Sequence, residues 1–341
     1  MPGIVQTSKP CKAPPVVGPR TTKARRPIVD IPEFMINEAR STSVDKWDPS
    51  KHMAFKAPAA IYTMKEIGLE GQGISPHAVS EPFPLFTREA IMQMRREIFS
   101  DLVMKNCRFG SDFIANMVRG MGAERAPFIY DAWYDPAILA AISAVAGVDL
   151  IPAFDYEVAN VNISINDEKA EVLTGSDEES AVAWHYDSFP FVCVTMASDC
   201  TGMVGGETAI KLPDGSEKKV RGPAMGTAVV MQGRYINHRA MKAFGGRERI
   251  ALVTAFRPRN PLVRDETILT GVRPISHLEE LYSQYVAYRF DVLEERFRHK
   301  LKEERRRVVM KRSINIGDLR SFIEDQQNYL ASMLEELYEV E

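Results

Sequence analysis

No apolar run in this chain approaches the roughly 18 consecutive residues that a membrane-spanning helix requires, which argues against a helical membrane protein. Cysteine is nearly missing: Cys11, Cys107, Cys193 and Cys200 are the four among 341 residues, and no two form a C-x-x-C pair. They read as buried or incidental thiols of a reducing compartment, so a cytoplasmic location is expected. Neither sign of charge dominates, the net charge being −3, and nothing in that balance suggests a nucleic-acid partner. Acidic residues are absent from the first 29 positions, which carry six prolines and several Lys and Arg instead. A mitochondrial presequence is also poor in acids, but it must form an amphipathic helix, which these prolines forbid. No apolar segment there suits secretion. Residues 1–29 are therefore expected to be a disordered tail, with a single domain over 30–341.

The remainder changes texture twice, from helices to strands and back to helices. Residues 87–106 place apolar side chains at 91, 94, 99, 102 and 103, a helical spacing, with Thr87 as N-cap. Asp135-Pro136 pairs a cap with an N1 proline ahead of Ile138–Gly147. Residues 149–165, 189–196, 207–212, 226–232 and 250–256 are short Val/Ile/Thr-rich runs broken by Gly, Pro and Asp, the pattern of antiparallel strands closing a sandwich or barrel. The Pro213-Asp214-Gly215 turn joins two of these runs as a hairpin. From Ser276 the pattern is helical again. Interspersed Glu residues mark the basic run Arg305-Arg306-Arg307 as a solvated helix face. Asn315 or Asp318 caps a last helix with Leu319, Phe322, Ile323, Leu330, Met333, Leu334 and Leu337 on one side. That side must be buried, either on the chain's own core or across a homodimer.

Chemistry concentrates in the strand-rich middle. His185-Tyr186-Asp187 precedes the strand around 189–196, and in H-x-D on extended chain the first and third side chains share a face. One imidazole and one carboxylate can thus hold a common metal. His238, after the strand around 226–232 and the Gly233-Arg234 turn, is the candidate third ligand. Two His and one carboxylate on one face of an iron leave three positions open, as O₂ chemistry requires. His52, His77, His277 and His299 have no ligand-spaced partner. A dicarboxylate co-substrate that chelates iron through a 2-oxo acid needs a cation for its far end, and arginine binds carboxylate bidentately. Arg249 opens the strand after His238; Arg247, on the preceding turn, is its competitor.

In chain order, His185-x-Asp187, Gly205-Gly206-Glu207-Thr208, the strand opened by Gly226, His238-Arg239-Ala240 and Glu248-Arg249-Ile250 resemble the motif series of the Fe(II)/2-oxoglutarate-dependent dioxygenases. Gly-Gly-Glu-Thr is similar to the prolyl-hydroxylase branch, and His-Arg followed by Glu-Arg to the isopenicillin N synthase branch. The resemblance spans about 151–258. It implies a mixed α+β fold with a double-stranded β-helix (jelly-roll) core at about 149–258, flanked by N- and C-terminal helices, the latter at about 276–341. It further implies iron on His185, Asp187 and His238, with 2-oxoglutarate held by Arg249. Members of the family often carry Arg-x-Ser, whose hydroxyl adds a second anchor; here that position is Ala251. Asn160, Asn162, Ser164 and Thr195 are the substitutes within reach, with Thr195 and Asn162 preferred. The His-Tyr-Asp-Ser-Phe-Pro run is similar to fungal secondary-metabolism oxygenases, some of which hydroxylate or cyclise free amino acids. The expected partners are thus O₂ and a small-molecule substrate. Two other readings stay open: an iron oxidase that dispenses with 2-oxoglutarate, and a non-catalytic jelly-roll binding protein.

Overall fold

The structure, a computed structural model, describes residues 12–16, 24, 26–27, 30–110, 116–165, 184–220, 224–241 and 243–339. Ahead of the β-rich middle lie α1 (Glu33–Ser41), α2 (Pro49–His52), α3 (Arg88–Ile98), α4 (Asp101–Asn106), α5 (Pro127–Trp133) and α6 (Pro136–Ala146). Five short strands are threaded among them: β1 (Ile61–Thr63), β2 (His77–Ser80), β3 (Phe83–Pro84), β4 (Arg108–Phe109) and β5 (Asn116–Val118). The middle supplies β6 (Leu150–Pro152), β7 (Asn160–Ile165), β8 (Phe191–Met196), β9 (Val204–Gly205) and β10 (Thr208–Lys211). It continues through β11 (Glu217–Val220), β12 (Thr227–Met231), β13 (His238–Ala240), β14 (Ala243–Phe244) and β15 (Glu248–Pro258), and α7 (Leu278–Val309) and α8 (Ile316–Glu336) close the chain.

Local chemistry sets the boundaries. The Thr87 hydroxyl accepts from the Ala90 N–H, and the Asp135 carboxylate from the Ala137 N–H. The helix expected over 87–106 divides instead into α3 and α4, because Ser100 turns extended and caps a new start through the Val103 N–H. Gly147 ends α6 in the left-handed region that glycine adopts without strain. At the last helix Asn315, not Asp318, is the cap. Leu212–Ser216 forms the hairpin turn between β10 and β11, closed by the Leu212 N–H on the Ser216 carbonyl.

Antiparallel pairing builds one long sheet in the order β1-β2-β12-β8-β15-β7-β5-β4, and a smaller one in the order β11-β10-β13. The smaller sheet gains a further rung where His185 bridges His238. Directly opposed residues share a face of a sheet, so the register divides β15 cleanly. Ile250, Leu252 and Phe256 face the helices and pack with Val161, Ile163, Cys193, Ala228 and Val230 in the largest core cluster. Met94 and Ile98 of α3, Trp133 of α5 and Ile142 of α6 complete that cluster. The alternate residues face the smaller sheet: Val192, Val229 and Met231 pack with Ile210, Val220, Tyr235 and Ile236, and Val253 lies against them. The layers are therefore helices, long sheet and small sheet. The strands β1 to β5, which no alternation announced, extend the long sheet at both ends.

A third cluster docks the C-terminal helices on the far end of the core, through Phe154, Phe189, Leu281, Tyr285, Tyr329 and Met333. On α8 the buried residues are Gln326, Tyr329, Met333 and Glu336. The stripe expected to be buried is divided, since Ile323, Leu330 and Leu334 are exposed. Of residues 1–29, most lie outside those described; Ala13 is buried, its N–H donates to Glu266, and the Pro14 carbonyl accepts from Arg234. No helix among the described residues is long and apolar enough to cross a membrane.

The C-terminal helix is locked by one buried ion pair. Arg273 donates to the Glu336 carboxylate at 2.6 Å, and that carboxylate also accepts from the Leu269 N–H at 2.7 Å. Removing one partner of such a pair leaves an uncompensated buried charge. Glu336→Ala should therefore lower the unfolding free energy by about 3–5 kcal/mol in denaturant melts; a loss under about 1 kcal/mol would show that Arg273 rehydrates freely.

Candidate metal centre

Two backbone hydrogen bonds bring the sequence-distant histidines together. The His185 N–H donates to the His238 carbonyl at 2.9 Å, and the His238 N–H returns to the His185 carbonyl at 3.0 Å. Their rings lie 4.4 Å apart between centroids. Asp187, two residues on, falls on the same side as His185, and its N–H is fixed by the Gly233 carbonyl at 2.9 Å. Asp187 Oδ1 stands 3.6 Å from His185 Nε2, and Oδ2 stands 3.6 Å from His238 Nε2. One donor atom from each residue lies within 4.8 Å of the other two, the one such grouping of His, Cys, Asp and Glu among the described residues.

The immediate surroundings suit a cation. His238 Nδ1 meets the Ile236 carbonyl at 2.9 Å; a carbonyl accepts only, so Nδ1 carries the proton and Nε2 presents its lone pair to the cluster. Burial, opposed by the Asp187 charge and aided by His185, holds the His238 imidazole below its ordinary pKa and so neutral. Burial would raise the Asp187 pKa, but His238, His185 and Arg234 outweigh it and keep the carboxylate ionised. Asp187 Oδ2 is nevertheless buried with no hydrogen-bond partner. An ionised oxygen so placed is costly unless a cation takes it, and two imidazoles with one carboxylate form the donor set of the non-haem Fe(II) facial triad.

Sequence reading missed the steric side of this arrangement. A Cβ on Gly233 would stand 1.7 Å from Asp187 Oδ2; only glycine lets the carboxylate turn toward the histidines. The Gly233-Arg234 turn after a strand was the available signal. Trp184, just before His185, lies under the Arg239 guanidinium at 4.6 Å, and Arg239 pairs with Glu217.

The arginines separate as well. Arg249 reaches the Gly206 carbonyl at 3.3 Å, while its Nε is buried without a partner. It forms no ion pair with any described residue, and burial pulls its pKa below the ordinary value. Gly206 permits the approach, since a Cβ there would stand 3.2 Å from Arg249 Nε. Arg247 is exposed, its guanidinium 3.6 Å above the Phe34 ring of α1. Glu248 turns to the helices and pairs with buried Arg95 at 3.2 Å.

The register sorts the four polar candidates. Asn162 opposes Ala251, Asn160 opposes Val253 and Ser164 opposes Arg249, so all three share the Arg249 face. Asn160 is engaged with Glu157 at 2.7 Å, whose carboxyl is pushed by burial to about 7. Thr195 does not share that face. It opposes Leu252 and Ala228 on the helix side, because its place on β8 is one residue out of phase with Arg249. The other histidines stay apart: His77 meets the Val145 carbonyl, and His52 lies between Trp47 and Phe128.

No family model matches this chain, and no curated protein matches it either. Partial likenesses exist among solved structures. An oxidoreductase of the 2OG-Fe(II) oxygenase family from Burkholderia pseudomallei is 15% identical, with a TM-score of 0.35 over 46% of this chain and 73% of that one. A prolyl-4-hydroxylase from Pseudomonas putida is 18% identical, with a TM-score of 0.30 over 51% of this chain and 88% of that one. A Phytophthora capsici prolyl 4-hydroxylase is 15% identical, with a TM-score of 0.35 over 76% and 89%. Likenesses this remote carry no function across; the weight falls on the site.

The glycine is directly testable. Gly233→Ala should keep the fold by circular dichroism yet weaken Fe(II) binding in equilibrium dialysis by at least the 10- to 100-fold typical of changes behind a metal ligand. Undiminished binding would mean that Asp187 does not contribute Oδ2.

Proposed function

We propose that this chain is an Fe(II)- and 2-oxoglutarate-dependent oxygenase acting on a C–H bond of a small molecule. The observation that carries the proposal is the convergence of His185, Asp187 and His238 around a buried carboxylate oxygen that lacks a partner. On this reading the antiparallel orders β7-β15-β8-β12 and His185-β13-β10-β11 are the two sheets of a double-stranded β-helix. The two histidines and Asp187 would hold the iron. When bound, iron would let O₂ act as the four-electron oxidant, two electrons coming from decarboxylation of 2-oxoglutarate to succinate and CO₂ and two from an unactivated C–H bond, the protein's share being orientation and exclusion of water.

Arg249 is what favours 2-oxoglutarate over a direct oxidase. A guanidinium with a buried, unpartnered Nε and no acidic partner among the described residues is costly unless a ligand supplies the anion, and its planar fork matches a carboxylate. Asn162, opposite Ala251, and Ser164, opposite Arg249, share that face and are the remaining substitutes for the hydroxyl that Arg-x-Ser would provide. The substrate we expect is a small polar metabolite, a free amino acid in the first instance. This rests on the similarity of the His185–Pro190 run to fungal secondary-metabolism oxygenases, and on a net charge of −3 that favours no nucleic-acid partner.

His238→Ala should abolish Fe(II) binding and succinate formation together; full activity in that variant would overturn the triad. A charge-assisted bond to a partly buried carboxylate contributes about 1.5–3 kcal/mol. Arg249→Ala should therefore raise the 2-oxoglutarate requirement about ten- to a hundred-fold with iron still bound, while Arg247→Ala changes little. A larger loss from Arg247→Ala would assign it the role, and no effect from either would favour the direct oxidase. Succinate release screened over amino acids and small acids tests the substrate class. Turnover of a protein or oligonucleotide, with none of the small acids, would exclude it.

A further inference from the structure

The hairpin of α7 and α8 is built inside out for a monomer. The seam between its helices is polar: Arg296 donates to Gln326, Lys300 pairs with Asp318, and Arg307 lies 3.6 Å from Asp318. Apolar side chains point outward. Phe290, Phe297, Leu301 and Val308 of α7 are 51% to 76% exposed, and Ile316, Ile323, Leu330 and Leu334 of α8 are 42% to 79% exposed. At about 100° per residue each set falls on one stripe of its helix. The opposite senses of two antiparallel right-handed helices carry both stripes to the same side of the hairpin, and Phe297 touches Phe322 across the seam with ring centroids 5.5 Å apart.

We infer that this side is an isologous interface with a second copy of the chain, hairpin on hairpin and antiparallel. The α7 stripe is palindromic. Phe290 and Val308 are equidistant from residue 299, as are Phe297 and Leu301, so a two-fold axis there sets Phe290 over Val308 and Phe297 over Leu301. Self-complementarity of this kind is what an isologous contact requires. Charge agrees with the direction. Before residue 299, on the side toward its base, α7 exposes Asp291, Glu294 and Glu295, whereas its tip and the following turn expose Lys302, Arg305, Arg306, Lys311 and Arg312 against the one exposed acid Glu303. The antiparallel arrangement lays basic tip on acidic base and, on one flank of the stripe, Glu294 over Arg305; a parallel one would stack tip on tip. Arg305 forms no ion pair with a described residue of its own chain. The same axis carries Leu330 and Leu334 of one copy toward Met310 and Ile314 of the other, which are 64% and 61% exposed.

Light scattering of the full-length protein at micromolar concentration should give the mass of a dimer. Leu301→Glu and Ile323→Glu alter exposed positions, so they should keep the circular dichroism spectrum and melting temperature while weakening association at least about a hundred-fold. Glu294→Arg alone should weaken the dimer about ten-fold, and Glu294→Arg with Arg305→Glu should restore it. Phe290→Cys/Val308→Cys should cross-link between copies under mild oxidation, and Val308→Cys alone should not. A wild-type monomer would overturn the interface, as would a dimer indifferent to Leu301→Glu. A monomer that binds anionic phospholipid vesicles would assign the stripe to a membrane surface instead. A dimer cross-linked by Val308→Cys alone would refute the antiparallel direction.

Discussion

Everything at the candidate site hangs on one rung of backbone, the paired hydrogen bonds between His185 and His238. They join a residue preceding β8 to the first residue of β13, 53 positions apart by number, and they fix both imidazoles relative to one another before any ion arrives. Asp187 is then placed by a third backbone bond, to Gly233. The ordering entropy of three ligands is thereby met by the fold, through bonds each contributing about 1 kcal/mol. A metal entering the cluster has little left to organise, which is the general condition for a tight and geometrically selective site.

The alternation of β15 divides the labour of the domain along a single strand. Ile250, Leu252 and Phe256 hold the helical layer, while Arg249, Ala251 and Val253 look into the space between the sheets. A one-residue slip would exchange these sets, burying the guanidinium under helices and exposing leucine to the site. Glu248 guards against it: it faces the helices beside Arg249 and is held by Arg95, which also bonds the Ala197 carbonyl and Glu38. The Glu-Arg dipeptide is thus two opposite charges on two opposite faces, one anchoring register and the other facing the site.

The site was more legible in the chain than the fold around it. H-x-D works through a period of two, a local property, and so His185 and Asp187 could be paired from spacing alone. His238 required a partner at a distance, yet the Gly233-Arg234 turn and the short β-runs narrowed the choice. Thr195 failed for the same reason that H-x-D succeeded: its phase on β8 relative to β15 depends on cross-strand register, which no local pattern displays. Strands β1 to β5 were invisible because strands of two to four residues carry too few positions for alternation, and their pairing is decided by where helices deliver them. On α8 the apolar periodicity was legible but its division was not: Met333 joins Tyr329 on the buried side, while Ile323, Leu330 and Leu334 lie outside.

That last inversion has a physical cause in the seam. Arg289, Arg296 and Lys300 are all buried along α7, and each needs an acceptor on α8 or on the loop before α7. Arg289 finds the Tyr329 carbonyl and Ser332, Arg296 finds the Pro261 carbonyl, and Lys300 finds Asp318. Polar partners fill this stretch of the inner face, so the apolar residues beside it, Phe290, Phe297 and Leu301 of α7 with Ile323 and Leu330 of α8, lie outside. A polar seam specifies one register between the helices, because a shift by a turn would strand each cation, whereas leucines would tolerate several. The register so fixed is what holds the Phe290–Val308 stripe straight over about 27 Å of helix at 1.5 Å per residue. An exposed apolar surface that long is a rarity on a soluble monomer, and it is the rigidity supplied from within the hairpin that makes the surface usable from without.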